Sequence, residues 1–326
     1  MQEFQPCHFY TRKKKVMSFP WKGGRILRIL REAPFPGMPR LSQKKLAAMA
    51  GVAPDVLKRA ETQGRPCHIE DYRKLLAATP LNRNLRRQII RALMLLDAPQ
   101  REISPAVVLA PFTRWLSQVP WPSLVMDGFG DIILLNEGVF RIHGYQPQDQ
   151  LPDMVEGNLI WRLFSHGTQG WLAQIETSPG LTLKKLVEEL TYWFLGASIG
   201  YLDECYWWYR FEKMLHAPDK HLRKIFKEGL RQAWDKAMDW GDFTPLVTFR
   251  RGDEEEYEVW MDMSRIVTPY GDLYWVKYIP ASRERGAFMS MPQPVHSLAP
   301  WPLSEKRIPK EWRPRNKSLR RPPEKQ

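Results

Sequence analysis

The sequence predicts an α unit followed by an α/β unit: an N-terminal five-helix bundle, then a mixed α/β domain with a helical insert. Three observations lead there. Residues 41–64, LSQKKLAAMAGVAPDVLKRAETQG, carry apolar residues at helical spacing on both sides of an Ala50-Gly51-Val52 break. Residues 123–136 read as two short apolar strands around a Gly128-Phe129-Gly130 turn. Residues 245–279 alternate β-branched and aromatic runs with polar turns, a composition that favours sheet.

Gly24–Glu32 predicts the first helix, with Ile26, Leu27, Ile29 and Leu30 for a core. Ala33–Arg40 holds three prolines and predicts a loop. Leu41, Leu46, Ala47, Ala50, Val52, Val56, Leu57 and Ala60 then form two short amphipathic helices across a tight turn, a helix-turn-helix. Gly51 suits that turn, Ser42 suits an N-cap, and Pro54 suits a first helical turn. Ile69–Ala78 and Asn84–Leu96 complete the bundle. A helix-turn-helix points to DNA.

The net charge is +13, unevenly placed. Residues 1–120 carry 22 Lys+Arg against 8 Asp+Glu, net +14; residues 121–280 carry 16 against 24, net −8. Residues 281–326 carry 11 against 4, net +7. A basic head that coincides with a helix-turn-helix is the footprint of phosphate binding, and an acidic middle implies another task. No apolar run approaches the ~18 residues of a membrane span. MQEFQPCHFYTRKKK lacks the apolar core of a secretory signal. Cys7, Cys67 and Cys205 form neither a disulfide framework nor a zinc spacing, so a reducing cytoplasm fits.

Pro99–Pro120 predicts a connector, its prolines breaking regular structure. Ser123–Asp127 and Asp131–Asn136 form the hairpin, and Glu137–His143 a short helix. Leu181–Phe194 and Lys220–Met238 are helical; Pro245–Arg250, Glu256–Val267 and Leu273–Ile279 are strands. The domains are therefore a basic flexible arm (1–22), the bundle (23–98), a connector (99–120), the α/β domain (121–280) and a disordered, basic, Pro-rich tail (281–326).

Leu41-Ser42-Gln43, Leu46-Ala47, Ala50-Gly51-Val52, Leu57, Arg59, Glu61 and Gly64 resemble the XRE/Cro family of repressor-like DNA-binding domains. The resemblance implies that Gln43 reaches backbone phosphate. It also implies that Ala53, Pro54, Asp55 and Lys58 face base edges, and that Arg59 reaches phosphate or pairs with Glu61. Lys44, Lys45 and Lys58 supply cations on this face. The chain departs from the pattern where Ala53 replaces a Ser or Thr cap and where Pro54 and Asp55 replace Arg, Gln or Asn. SLVMDGFGDIILLNEGVFRIHGY is similar to the opening of a PAS domain, through Asp127, Gly130, Ile132, Asn136 and Gly144. Gly157–Phe164, GNLIWRLF, looks like the box of MmyB-like transcription regulators, which join an XRE domain to a PAS-like ligand-binding domain. That resemblance implies a lipophilic pocket for a fatty-acid-like molecule.

The aromatic run Tyr206-Trp207-Trp208-Tyr209-Arg210, joined by Trp193 and Phe194, supplies the pocket candidates. Trp193, Phe194, Tyr206 and Trp207 would give apolar walls, and Arg210 would pair with a carboxylate. Ordinary helix packing is the favoured reading of this aromatic run, as it is of Trp161 and Phe164, because aromatic stripes usually build cores. Asn136 reads as a helix cap, and Asp253–Glu256 as a solvated turn. Arg83, Arg86, Arg87 and Arg91 form a stripe that either meets DNA or faces water. No metal spacing, P-loop, Gly-x-Gly-x-x-Gly or Gly-x-Ser-x-Gly occurs.

The combined expectation is a cytoplasmic, non-enzymatic, homodimeric regulator of double-stranded DNA. It would respond to a small apolar ligand and need no other cofactor. An adaptor with a degenerate helix-turn-helix and an aromatic partner-binding domain is the alternative.

Overall fold

A computed structural model of the 326-residue chain describes residues 18–32, 35–65, 67–97, 104–142, 157–165, 175–177, 183–234, 246–251, 255–281, 293–299, 301–302, 307–308 and 312. The bundle comprises α1 (Ser18–Glu32), α2 (Gln43–Ala50), α3 (Pro54–Gln63), α4 (Ile69–Ala77) and α5 (Arg83–Asp97). Helix α1 begins before the expected Gly24, so the arm does not extend to residue 22. Lys22 lies inside α1 and is buried. Arg12–Lys15 lie outside the described residues.

Helix α2 starts at Ser42, whose hydroxyl accepts from the Lys45 amide at 3.2 Å. It ends at Gly51, where φ is 62°, a left-handed conformation that suits glycine. Leu46, Ala47, Val52, Leu57 and Ala60 are buried, so the apolar spacing holds the motif together. A polar clasp adds to it. Buried Glu61 accepts from Arg31 Nε at 3.0 Å and Nη2 at 2.7 Å, and from Gln43 Nε2 at 2.7 Å. The clasp joins α1, α2 and α3, and losing one charged partner would strand the other away from water.

The expected irregular connector contains α6 (Pro105–Gln118). Pro105 sits in its first turn, where no N–H is needed. Pro111 removes an interior bond to Val107, at an exposed turn where water can replace it. Phe112 and Leu116 then pack on the sheet.

The second unit runs β1 (Ser123–Asp127), β2 (Ile132–Asn136), α7 (Glu137–Ile142), α8 (Leu159–Ser165), β3 (Ile175–Thr177) and α9 (Leu183–Ser198). After a 3-10 turn at Ile199–Tyr201 come α10 (Cys205–Leu215), α11 (Lys220–Ala233), β4 (Leu246–Arg251), β5 (Glu255–Thr268), β6 (Gly271–Pro280) and β7 (Val295–Ser297). The described strands form one antiparallel sheet in the order β3-β4-β5-β6-β1-β2-β7. The hairpin and the closing strand β6 are neighbours although they are far apart in sequence, with Leu124 opposite both Leu135 and Val276.

Every residue of β1 and β2 is buried because both faces are covered. Helix α6 covers Val125, Ile133 and Leu273, while the insert covers Leu124, Met126 and Tyr274. The larger core is continuous from Leu27 in α1 to Tyr278 in β6, so the bundle and the α/β unit share it.

The tail expected to be disordered supplies β7, paired with β2 through Val295 opposite Asn136. The Arg307 side chain is buried, and Trp312 meets Tyr209 edge-on at 5.8 Å. Its cations and prolines suggest solvent, but the open edge of β2 and two buried carboxylates give these residues partners.

Candidate functional site

The exposed face of the helix-turn-helix gathers most of the expected DNA contacts. Lys44 and Lys45 on α2, and Pro54, Asp55, Lys58 and Arg59 on α3 with the preceding Ala53, are all exposed. Ala53 makes no side-chain cap, so the first amides of α3 are left without a side-chain partner there, a setting suited to a phosphate oxygen. Asp55 lies in that first turn, where its charge favours the helix dipole.

Two assignments change. Gln43 is half-buried, and its amide is held by Glu61. Arg59 does not pair with Glu61; its Nε donates to the Asp55 carbonyl at 3.2 Å. Glu61 follows Leu57 and Ala60 onto the buried side of α3, whereas Arg59 is on the outer side. The arginine stripe of α5 also divides. Arg83 and Arg87 are exposed, but Arg91 donates to Asp272 Oδ1 at 3.1 Å across the seam with the sheet.

The five expected ligand residues are all buried and pack among themselves and their neighbours. Trp193 meets Tyr274 edge-on at 5.2 Å, and Phe194 stacks on Trp207 at 5.7 Å. Trp207 and Trp208 form a cage with Phe211 and Trp234, and its occupant is Phe35 from the α1–α2 loop. The Phe35 ring lies 6.0 Å from Trp207, 5.4 Å from Trp208, 5.8 Å from Phe211 and 5.1 Å from Trp234. The ordinary-packing alternative therefore describes these rings in this conformation.

Arg210 belongs to a buried ionic cluster. Asp131 Oδ1 accepts from Arg210 Nη2 at 2.9 Å and from Asn158 Nδ2 at 2.7 Å. Its Oδ2 accepts from the Tyr206 hydroxyl and from Arg307 Nη1, the latter at 2.8 Å. Arg307 Nη1 also reaches Asp127 Oδ2 at 2.6 Å. Two carboxylates thus meet two guanidinium groups. Burial pushes the Asp127 carboxyl up to about 6, against the pull of Arg307. Burial also opposes the charge of Arg210, but Asp131 and Tyr206 more than offset it.

Two buried asparagines fasten the elements near this cluster, and Asn158 also belongs to it. Asn158 binds the Phe129 carbonyl at 2.8 Å and accepts from the Trp161 amide at 2.7 Å, so it fastens α8 to the hairpin turn. Asn136 is not a helix cap. Its side chain binds the Ser123 amide at 3.0 Å and the Leu116 and Trp121 carbonyls at 3.2 and 2.9 Å, joining α6 to the hairpin.

A second buried set joins α1 to the turn before α10. Lys22 Nζ lies 3.1 Å from Glu204 Oε1 and 3.3 Å from Asp203 Oδ1. Burial raises the Asp203 carboxyl to about 6, opposed by Lys22. Helix α5 approaches the 3-10 turn so closely that a Cβ on Gly200 would collide with Ala92. A cavity of about 20 Å³ lies at this seam, lined by Gln88, Arg91, Tyr201 and Asp272 among others. It has room for about one water and none for a fatty-acid chain.

Phe35, Lys22 and Arg307 escaped sequence reading. Phe35 sits in a proline-rich loop, and the two cations lie in segments that look solvated. Among the described residues, no His, Cys, Asp or Glu group is arranged to hold a metal, and no helix is long and apolar enough to cross a membrane. No protein-family model matches the chain, and no curated protein matches it.

Proposed function

We propose that the chain is a ligand-responsive, DNA-binding transcriptional regulator that acts as a homodimer on double-stranded DNA, with a PAS-like half of MmyB-like type. The observation that carries this reading is the exposed face of α2 and α3. Lys44, Lys45, Lys58 and Arg59 stand there beside an uncapped helix start, and the face is not covered by the α/β unit. The proposed effector is a small apolar molecule. Support for its coupling to DNA comes from Phe35 and Lys22, which seat the bundle on the insert. A ligand that repacks the insert shifts α1 and the α1–α2 loop, and it changes DNA affinity only as far as it favours one arrangement.

Reversing Lys44, Lys45 and Lys58 to Glu tests the reading. All three are exposed, so the fold should survive while duplex affinity is lost. Unchanged affinity would refute it. The adaptor reading rests on Ala53, Pro54 and Asp55, which leave α3 with no hydrogen-bond-donating side chain in its first turn. Under that reading the triple variant keeps its protein partner and the parent shows no duplex preference.

A further inference from the structure

Helix α11 carries a cationic stripe that the acidic balance of residues 121–280 conceals. Lys220, Lys224, Lys227 and Arg231 fall at i, i+4, i+7 and i+11 and are all exposed. The stripe runs ~16 Å along one side of the helix. None of the four makes an ion pair among the described residues. The opposite side, Leu222, Ile225, Phe226 and Leu230, is buried in the shared core. The helix therefore has no apolar face left for a lipid surface.

The stripe ends beside the DNA-binding motif. Gly37, in the α1–α2 loop, has φ 85° and sits so close to Arg231 that a Cβ would lie 3.0 Å from the Arg231 Cα. The contact is fixed on both sides: Trp234 Nε1 donates to the Pro36 carbonyl at 2.9 Å, and the Asn82 amide donates to the Trp234 carbonyl at 2.7 Å. Ser42, the cap of α2, is five residues beyond Gly37, a span of at most ~18 Å.

We infer that the α11 stripe is a second phosphate-contacting surface, which extends the helix-turn-helix footprint along the DNA backbone beyond the half-site. The inference rests on the DNA-binding reading above. Its chemistry is unspecific: lysine and arginine against phosphate set affinity and salt dependence, not base preference.

The test uses the full chain with Lys224, Lys227 and Arg231 changed to Glu, with anisotropy measured across salt on a long promoter duplex. The parent protein and the Lys44/Lys45/Lys58→Glu variant are run beside it, and thermal melts check the fold. The inference predicts at least tenfold weaker binding by the α11 variant. It also predicts a log–log salt slope shallower by about 0.9 for each lost phosphate contact, with the order of preference among sequences unchanged. If the parent binds and the α11 variant matches it in affinity and slope, the inference falls and the helix-turn-helix reading stands. If the parent binds no duplex, both fall. If polyglutamate binds the parent but not the α11 variant while both bind DNA with the same affinity and salt slope, the stripe serves an acidic protein instead, and the inference is overturned.

Discussion

Phe35 of the α1–α2 loop stacks on Trp208 of α10, with ring centroids 5.4 Å apart and planes 22° from parallel. This contact places a residue of the N-terminal helical bundle inside the aromatic insert of the other half. The two halves are in direct contact through a packed ring and share one core.

Replacing Phe35 by Ala empties the cage of four rings. Removing a buried phenyl group destabilises a core by about 3–5 kcal/mol, and Phe35→Leu should lose less. Urea titration checks this. The shared core also predicts one cooperative transition in the parent, seen alike by tryptophan fluorescence and by circular dichroism. Two separated transitions in the parent would show that the halves unfold independently.

Removing Arg307 takes from Asp127 its cationic partner among the described residues and leaves Asp131 paired with Arg210. Breaking a buried pair by deleting one partner is expected to destabilise by about 3–5 kcal/mol. Arg307→Ala should also raise amide exchange in Val295–Ser297, because β7 lies on the same tail. Adding Asp127→Asn removes the stranded charge, so the double variant should be more stable than the two single losses predict. Strict additivity in a double-mutant cycle would argue against direct coupling.

The Asp127 carboxyl is raised by burial from its ordinary 3.8 to about 6. A raised folded-state value means the folded protein takes up this proton first as pH falls. The contribution is fully present below about 3.8 and is lost as pH rises through about 6. Stability measured from pH 4 to 7 for the parent minus Asp127→Asn should therefore fall across that window. A flat difference would contradict the buried, ionisable state of Asp127.

The elements of the fold were largely legible, because periodicity and turn chemistry are local. Ser42, Gly51 and Pro54 mark the ends of α2 and α3 where the structure has them. The strands around residues 246–280 follow from their composition. What failed depended on contacts distant in sequence. Arg307 looks solvated until Asp127 and Asp131 are seen behind it. The aromatic run at 206–210 reads in sequence as core packing with a ligand wall as the alternative, and neither reading reveals that Phe35, far off in sequence, fills the cage of Trp207 and Trp208. Lys220, Lys224, Lys227 and Arg231 vanish into a negative regional charge, because a net count discards which helix face holds the cations. Pro111 argued against α6, yet its packing through Phe112 and Leu116 outweighs one lost backbone bond.

The most direct measurement of the central claim is fluorescence anisotropy of the full chain on the DNA upstream of its own coding sequence, against a scrambled duplex, over a salt series. The account predicts preference for the upstream DNA, with affinity that weakens steeply as salt rises. Equal and weak binding to both duplexes would contradict it, and would mean that the exposed α2–α3 face does not read DNA.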